Sequence, residues 1–243
     1  MNAISESHVK SPTPSRDMRK ILVWDAPTRL FHWLLALSFG GAYLTAESES
    51  WRMVHVTLGY TMASLIGFRL IWGLIGSRYA RFSSFVRGPR TVARYLSALL
   101  RGNPEHYTGH NPAGAIAIVA LLTLGLAVCA SGWVIYNDVA GGWTEELHEA
   151  TANLMLAIVG IHIAGVLLAS WLHRESLVGA MFTGRKSGQP EDSIGSAWRS
   201  VAVLLLVAVL AIWWIQWQSV PASGGLAEHP VSSKAADHDR DDD

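Results

Sequence analysis

Cysteine and charge are both scarce in this sequence of 243 residues. The single cysteine, Cys129, excludes a disulfide framework, a CxxC metal site and a CxxCH attachment of a prosthetic group. Charged residues make up only 16% of the chain, whereas soluble domains carry about 25%. The net charge of zero gives no indication of nucleic-acid binding. The first twenty residues contain no apolar run, so we expect no cleaved secretory signal there.

Hydrophobic residues make up half of the chain, and they are concentrated in five apolar spans. Each span is close to the ~20 residues that a helix needs to cross a bilayer. The sequence therefore predicts an all-α integral membrane protein. The spans are expected at about residues 29–46, 54–75, 112–136, 147–172 and 201–217.

Lysine and arginine are unevenly distributed between the loops, and this distribution predicts the orientation. Segments 1–28, 76–111 and 173–200 hold fourteen of these residues, whereas segments 47–53, 137–146 and 218–243 hold three. Positive loops stay on the cytoplasmic side. We therefore expect a cytoplasmic N-terminus and a C-terminal tail on the outer side. In the 76–111 loop, residues 91–100 predict a short amphipathic helix on the inner surface.

Two histidines lie deep in the fourth span, and two other spans offer partners for them. His148 and His162 are fourteen residues apart, which is about 21 Å along a helix and within about 40° of the same face. Under the predicted orientation, His55 has the same outer depth as His148. His32, in the first span, has the same inner depth as His162. The sequence thus predicts two histidine pairs at two levels of one bundle.

Intramembrane ionisable residues are functional candidates, and several chemistries use histidine. Zinc requires three or four ligands, and no Cys, Asp or Glu is available at the inner level. A proton relay uses single histidines and does not explain pairing. Haem iron takes two axial ligands on opposite faces of a large apolar ring, which agrees with both pairs. The remaining interpretation is that each histidine only hydrogen-bonds a neighbouring helix.

Arginines near the predicted pairs are candidate partners for haem propionates. Arg69 lies in the middle of the second span, fourteen residues after His55 and near the inner level. Its alternative role is to extend towards the inner surface. Arg29 and Arg52 lie at the inner and outer rims. His173, at the inner end of the fourth span, is an interfacial residue or an alternative ligand of the inner site.

The segments around these histidines resemble the bacterial cytochrome b561 family, which includes the b-type cytochromes of nickel–iron hydrogenases. The similarity covers about residues 20–185, and the four histidines and the Gly-His-Asn-Pro segment occur in the family's order. The matching segments are Val23-Trp24-Asp25-Ala26-Pro27-Thr28-Arg29-Leu30-Phe31-His32-Trp33, Arg52-Met53-Val54-His55-Val56-Thr57-Leu58-Gly59-Tyr60, Gly109-His110-Asn111-Pro112-Ala113-Gly114-Ala115 and Glu146-Leu147-His148-Glu149.

The resemblance implies a four-helix core that binds two b haems noncovalently through His55/His148 and His32/His162. It also implies electron transfer across the bacterial inner membrane, between quinone and a periplasmic cytochrome c or hydrogenase-like partner. Such a chain is an electron-transfer subunit of a respiratory oxidoreductase rather than a stand-alone enzyme. The expected organisation is a disordered cytoplasmic tail (1–20), a di-haem domain (21–185), a linker with a fifth transmembrane helix (186–218) and an acidic periplasmic tail (219–243).

Two other function classes remain open from the sequence. The first is a membrane enzyme or proton-relay subunit in which the histidines titrate. The second is a membrane anchor whose acidic outer tail recruits a soluble partner.

Overall fold

The computed structural model describes residues 18–103 and 105–218. The acidic tail expected at 219–243, and most of the N-terminal tail expected at 1–20, lie outside these residues. Eight helices and two short strands follow in chain order: β1 (Arg19–Leu22), α1 (Ala26–Thr45), α2 (Arg52–Ile75), α3 (Phe82–Phe85), α4 (Pro89–Leu100), α5 (Pro112–Tyr136), α6 (Trp143–His173), α7 (Leu177–Thr183), β2 (Arg185–Gly188) and α8 (Arg199–Gln218).

The five longest helices, α1, α2, α5, α6 and α8, coincide with the five apolar spans predicted from the sequence. Four of them, α2 with its preceding turn, α5, α6 and α8, are long and apolar enough to cross a membrane. The 20-residue α1 is not among these four, since polar residues such as Arg29, His32 and Ser38 interrupt its apolar sequence. The helical fold is confirmed, four of the five predicted spans are long and apolar enough to cross a membrane, and the span assigned to α1 stays a prediction.

The motifs at the starts of α1 and α5 are helix caps. Asp25 accepts a hydrogen bond from the amide of Thr28 at 2.7 Å, and Asn111 accepts one from Gly114 at 2.7 Å. A proline lies in the first turn of each helix, where no backbone donor is needed. Asp25 is 1% exposed and also accepts hydrogen bonds from Trp72 Nε1 and Ser77 Oγ. These bonds fix the start of α1 against the end of α2.

The helices pack unevenly, and this leaves a cleft. Helix α1 packs on α2, α2 on α5, and α5 on α6, whereas α8 packs on the outer surface of α1 and α2. Helix α6 makes few or no close backbone contacts with α1 and α2. Only 11% of the apolar 18-residue stretch of α6 is buried by the rest of the protein. We call the space between α6 and the α1–α2 pair the cleft, and these three helices carry the four histidines. The cleft is bridged between the levels of His148 and His162, where Met155 of α6 packs against Phe39 of α1 and Met62 of α2.

A two-stranded antiparallel ribbon, which the helical prediction did not include, lies at the end of the bundle where α1 and α5 begin. We call this end the ribbon end. Arg19 pairs with Gly188 and Leu22 with Arg185, so the ribbon crosses both boundaries of the expected domain, at 20/21 and 185/186. The carbonyl of Gly184 accepts hydrogen bonds from Val23 and Trp24. Gly184 has φ of +78°, and an added Cβ would lie 2.6 Å from the Trp24 carbonyl oxygen, so glycine is required there. Each strand has only four residues, which is too short for an alternating pattern of polar and apolar residues to be recognised in the sequence.

Helix α8 is attached to the bundle by a specific hydrogen bond, and this attachment can be tested. Trp213 Nε1 donates to Thr61 Oγ1 of α2 at 2.9 Å, and Thr61 is 1% exposed. The Thr61→Val variant leaves the indole donor unpaired, so we expect a loss of about 1 kcal/mol in the free energy of unfolding. Thr57→Val is the matched control, since Thr57 makes the same intrahelical bond without accepting from α8. Equal losses in both detergent-solubilised variants would contradict this attachment.

Candidate functional site

His55 of α2 and His148 of α6 face each other across the cleft. Their ring centroids are 6.2 Å apart, and the ring planes are inclined by 68°. A metal–imidazole bond is about 2 Å long, and a ring nitrogen lies about 1 Å from the ring centre, so two imidazoles on one metal have centres about 6 Å apart. The observed separation therefore agrees with two axial ligands of one metal ion.

Hydrogen bonds fix the tautomer of both rings in this outer pair. His55 Nδ1 donates to the carbonyl oxygen of Ala42 at 2.8 Å, and His148 Nδ1 donates to that of Val128 at 3.1 Å. Ser131 Oγ lies 3.0 Å from the same His148 nitrogen. A proton on Nδ1 leaves the lone pair on Nε2, which is the form that binds metals. Both histidines are thus prepared as ligands by the backbones of α1 and α5.

The inner pair is at the ribbon end, where His32 of α1 and His162 of α6 are electrostatic neighbours. Both residues are partly buried. His32 Nδ1 is fully buried and has no hydrogen-bond partner among the described residues. The inner pair therefore differs from the outer pair, in which both Nδ1 atoms have carbonyl partners. Electrostatic proximity alone links His32 and His162, so the inner pairing stays a prediction.

His110, which the sequence analysis treated only as part of a loop motif, is a further residue of the inner region. Its ring lies between Trp24, at 4.5 Å, and Phe85, at 4.6 Å. Burial, followed by the charges of Arg69 and Lys186, lowers the pKa of His110 to about 3, so the imidazole is neutral at physiological pH. Its Nδ1 is buried and lacks a partner among the described residues. The Gly-His-Asn-Pro segment was the signal that marked this position.

Arg69 is a deeply buried cation near His110, with Asp25 as an electrostatic partner. It is 3% exposed, its guanidinium lies 4.8 Å from the Phe82 ring centre, and Nη1 has no partner among the described residues. Arg29 instead donates to the carbonyl oxygens of Phe182 and Asp25. Arg52 is exposed at the start of α2. Arg69 is therefore the arginine with unused donor capacity inside the bundle.

Three glycines on the histidine-bearing helices α2 and α6 have open space around them. Gly59 lies on α2, and Gly160 and Gly165 lie on α6; an added Cβ at any of the three would meet no atom within 4 Å. Gly132 of α5 differs, since an added Cβ there would lie 3.0 Å from His148 Cε1. Apolar helices, paired histidines with free Nε2 atoms and this space together fit a planar, apolar, metal-containing group such as haem.

A buried ion pair beside the ribbon is the second group that sequence reasoning missed. Glu175 Oε2 lies 3.6 Å from both Lys186 Nζ and His106 Nε2, and the side chains of Glu175 and Lys186 are 9% and 4% exposed. Burial alone would raise the pKa of Glu175, but the Ser187 amide, Lys186 and His106 outweigh it and lower the pKa. Burial also lowers the pKa of Lys186, partly offset by Glu175. Nothing in the sequence distinguishes Lys186 from an exposed lysine.

We call the group beside the ribbon, which consists of His106, His173, Glu175 and Lys186, the ribbon cluster. His173 lies in this ribbon cluster and not in the cleft. Its ring centre is 5.3 Å from that of His106. His173 therefore belongs to the surface group, and the pairing of His32 with His162 stays a prediction.

The fold and the site define a helical multi-pass membrane protein in which the rings of His55 and His148 lie close together. Residues 23–184 match the model of a family described as prokaryotic cytochrome b561, and the chain belongs to this family. The resemblance seen in the sequence is thus confirmed. As a b-type cytochrome, the protein uses haem b and carries electrons in a membrane.

Curated relatives are more specific in name. The chain is 25% identical to a probable Ni/Fe-hydrogenase B-type cytochrome subunit of Rhodobacter capsulatus, over 71% of this chain and 83% of the relative. The protein of the same name from Azotobacter vinelandii is 27% identical, over 70% and 89%. The probable Ni/Fe-hydrogenase 1 subunit of Escherichia coli K12 is 22% identical, over 48% and 60%. No solved structure matches the chain.

The ribbon cluster predicts a pH-dependent contribution to stability. Glu175→Gln leaves the buried Lys186 unpaired, so we expect a loss of about 3 kcal/mol in the free energy of unfolding at neutral pH. Folding lowers the pKa of Glu175. The stabilisation is therefore complete above the ordinary pKa of about 4.3 and is lost as the pH falls through the folded value.

Equilibrium unfolding of the detergent-solubilised protein at neutral and acidic pH measures the difference between the parent protein and Glu175→Gln. The exposed Glu145 provides the matched control, Glu145→Gln. A difference for Glu175→Gln that is the same at both pH values would contradict the assignment of the ion pair.

Proposed function

We propose that this protein is a transmembrane electron-transfer subunit with two bis-histidine b haems. His55 and His148 hold the outer haem, and His32 and His162 hold the inner one. The observation that carries the proposal is the outer pair, whose ring centres are 6.2 Å apart with both Nδ1 protons held by carbonyl groups. A histidine whose only role is to hydrogen-bond a neighbouring helix does not require a second histidine beside its other nitrogen.

The inner site is supported by its unpaired polar atoms. A haem carries two propionate groups, and an unpaired buried cation is costly in an apolar bundle. Arg69 Nη1 is such a donor, near His110 and the inner pair. We assign Arg69 as the main propionate partner. Arg29 is a second propionate partner at the same end, where a propionate would replace the carbonyl oxygens that Arg29 binds in this structure. Arg52 is the propionate partner at the outer rim.

The residues of this chain set the position and environment of the haems. Bound haem iron supplies reversible one-electron transfer. The Ala42 and Val128 carbonyl groups orient the outer imidazoles and increase electron donation from Nε2. Arg69 adds a positive charge that favours reduction at the inner site. The apolar faces of α2, α5 and α6 exclude water from the cleft. The separation of fourteen positions between His148 and His162 sets a vertical spacing of about 21 Å between the two levels.

The ribbon end is assigned to the cytoplasmic side, because fourteen lysines and arginines lie in the segments of that end against three in the opposite segments. The outer site then faces the periplasm of a bacterial inner membrane. Relatives named as Ni/Fe-hydrogenase subunits support a hydrogenase-like or cytochrome c partner on that face. Quinone in the membrane is the second redox partner, served by the inner site. The fifth helix, with its hydrogen bond to α2, completes the membrane domain.

Histidine variants test the ligand assignment. We expect His148→Ala and His162→Ala each to retain about half of the haem of the parent protein, because each variant removes one axial ligand of one site. The two variants should lose different components of a redox titration. His173→Ala is the matched control from the same helix, and it should retain both haems. Haem per chain, measured by extraction of purified protein, would contradict the assignment if His148→Ala kept the full content.

A further inference from the structure

A small cavity lies between the surface and the inner site at the ribbon end. Its volume is about 40 Å³, and it is lined by Glu105, His106, Tyr107, Gly109, Asn111, His173, Glu175, Leu177 and Lys186. A cavity of this size has room for at least one water molecule with polar partners. The cavity is thus a polar chamber in a bundle that is otherwise apolar.

Glu175 is the central acceptor of this chamber. Oε1 accepts a hydrogen bond from the Ser187 amide at 2.8 Å, whereas Oε2 is buried and has no hydrogen-bond partner among the described residues. Lys186 Nζ and His106 Nε2 each lie 3.6 Å from Oε2, too far for a good direct hydrogen bond. Oε2 therefore has acceptor capacity left for a water molecule in the chamber. The carboxylate can therefore exchange protons with water inside the chamber.

The chamber connects in two directions. His106 is 46% exposed on its side chain, so this imidazole links Glu175 to bulk solvent. On the other side, Gly109 and Asn111 line the chamber, and His110 between them belongs to the inner region with Arg69, His32 and His162. The loop 109–111 is thus a single layer of chain between the chamber and the inner site.

We propose that this chamber is the proton-exchange route between the cytoplasmic surface and quinone at the inner site, with Glu175 as its carrier. The inference rests on the proposed function, because it needs a quinone that is reduced or oxidised there. Reduction of one quinone to quinol consumes two electrons and two protons. The haems supply the electrons, and water at the cytoplasmic surface supplies the protons through His106 and Glu175. Oxidation of quinol releases two protons along the same route.

The groups that face Glu175 agree with this role. From the 105–110 segment these are Glu105, His106 and Tyr107, from α6 His173, and from β2 Lys186. Histidine is the side chain that changes charge most readily near neutral pH. Burial raises the pKa of Glu175, but the Ser187 amide and Lys186, which also donates to the Tyr107 carbonyl at 3.1 Å, lower it overall, so the carboxylate is ionised at rest and holds a proton only transiently.

The test compares quinol-driven haem reduction in full-length protein reconstituted in lipid vesicles. We expect Glu175→Gln to slow the quinol-dependent rate by about tenfold or more. Reduction by dithionite, which needs no quinol proton, should be unchanged. Formate, a small weak acid, should restore part of the lost rate. Difference infrared spectra of the parent protein should contain a carboxylate signal that Glu175→Gln lacks.

Two further variants separate the proton role from folding. Glu175→Gln/Lys186→Met has no unpaired buried charge, and it replaces the single variant if that one does not fold. Glu145→Gln removes an exposed carboxylate at the opposite end of α6 and should behave like the parent protein.

The outcomes distinguish the inference from the proposed function. A parent protein that lacks haem or does not react with quinol refutes the proposed function. A reactive parent protein whose Glu175 variants stay within twofold of its rate refutes the proton route alone. Slow variants that formate does not rescue also refute the route, because the loss is then structural.

Discussion

The structure depends on a constraint that apolar surroundings impose on histidine. Both nitrogens of a buried imidazole need a partner, and hydrocarbon supplies none. In the outer pair, the Ala42 and Val128 carbonyl groups each bind one Nδ1, and the two ring centres lie 6.2 Å apart. The protein thus satisfies half of the requirement itself, and in the proposed function haem iron satisfies the other half. The same constraint accounts for the ends of the bundle, where Asp25 and Asn111 satisfy the first amides of α1 and α5.

Uneven packing turns these local arrangements into a site. The backbone of α6 packs closely on α5 and α7 but not on α1 and α2, which it meets through side chains such as Met155 against Phe39 and Met62. The histidines lie above and below this side-chain contact. The two levels of the cleft differ in character. The outer level is satisfied by backbone carbonyl groups, whereas the inner level collects Arg69, His110 and His32 with unpaired atoms. In the proposed function, this difference suits an outer site that transfers only electrons and an inner site where electron transfer is coupled to proton transfer.

Much of this arrangement could be predicted from the sequence, because helical periodicity and the ~20-residue membrane span are strong signals. The spacing of His148 and His162 defined two levels, and orientation from lysine and arginine matched His55 and His32 to them. Other features depend on contacts between distant segments. The β1–β2 ribbon consists of short strands joined across more than 160 residues, and Lys186 is buried only because the ribbon places it against Glu175. His110 was visible as part of a motif, but its position between Trp24 and Phe85 was not. Helix α1 was also predicted to span the membrane, but it is not among the four helices that are long and apolar enough to do so.

The central claim is that one cleft holds two haems between paired histidines. Quantitative haem extraction from the purified wild-type chain, combined with electron paramagnetic resonance of the oxidised protein, tests it most directly. The account predicts two noncovalent b haems per chain, both low-spin because each iron has two imidazole ligands. A ratio of one haem per chain, or a high-spin signal that accounts for one of the two irons, would contradict it.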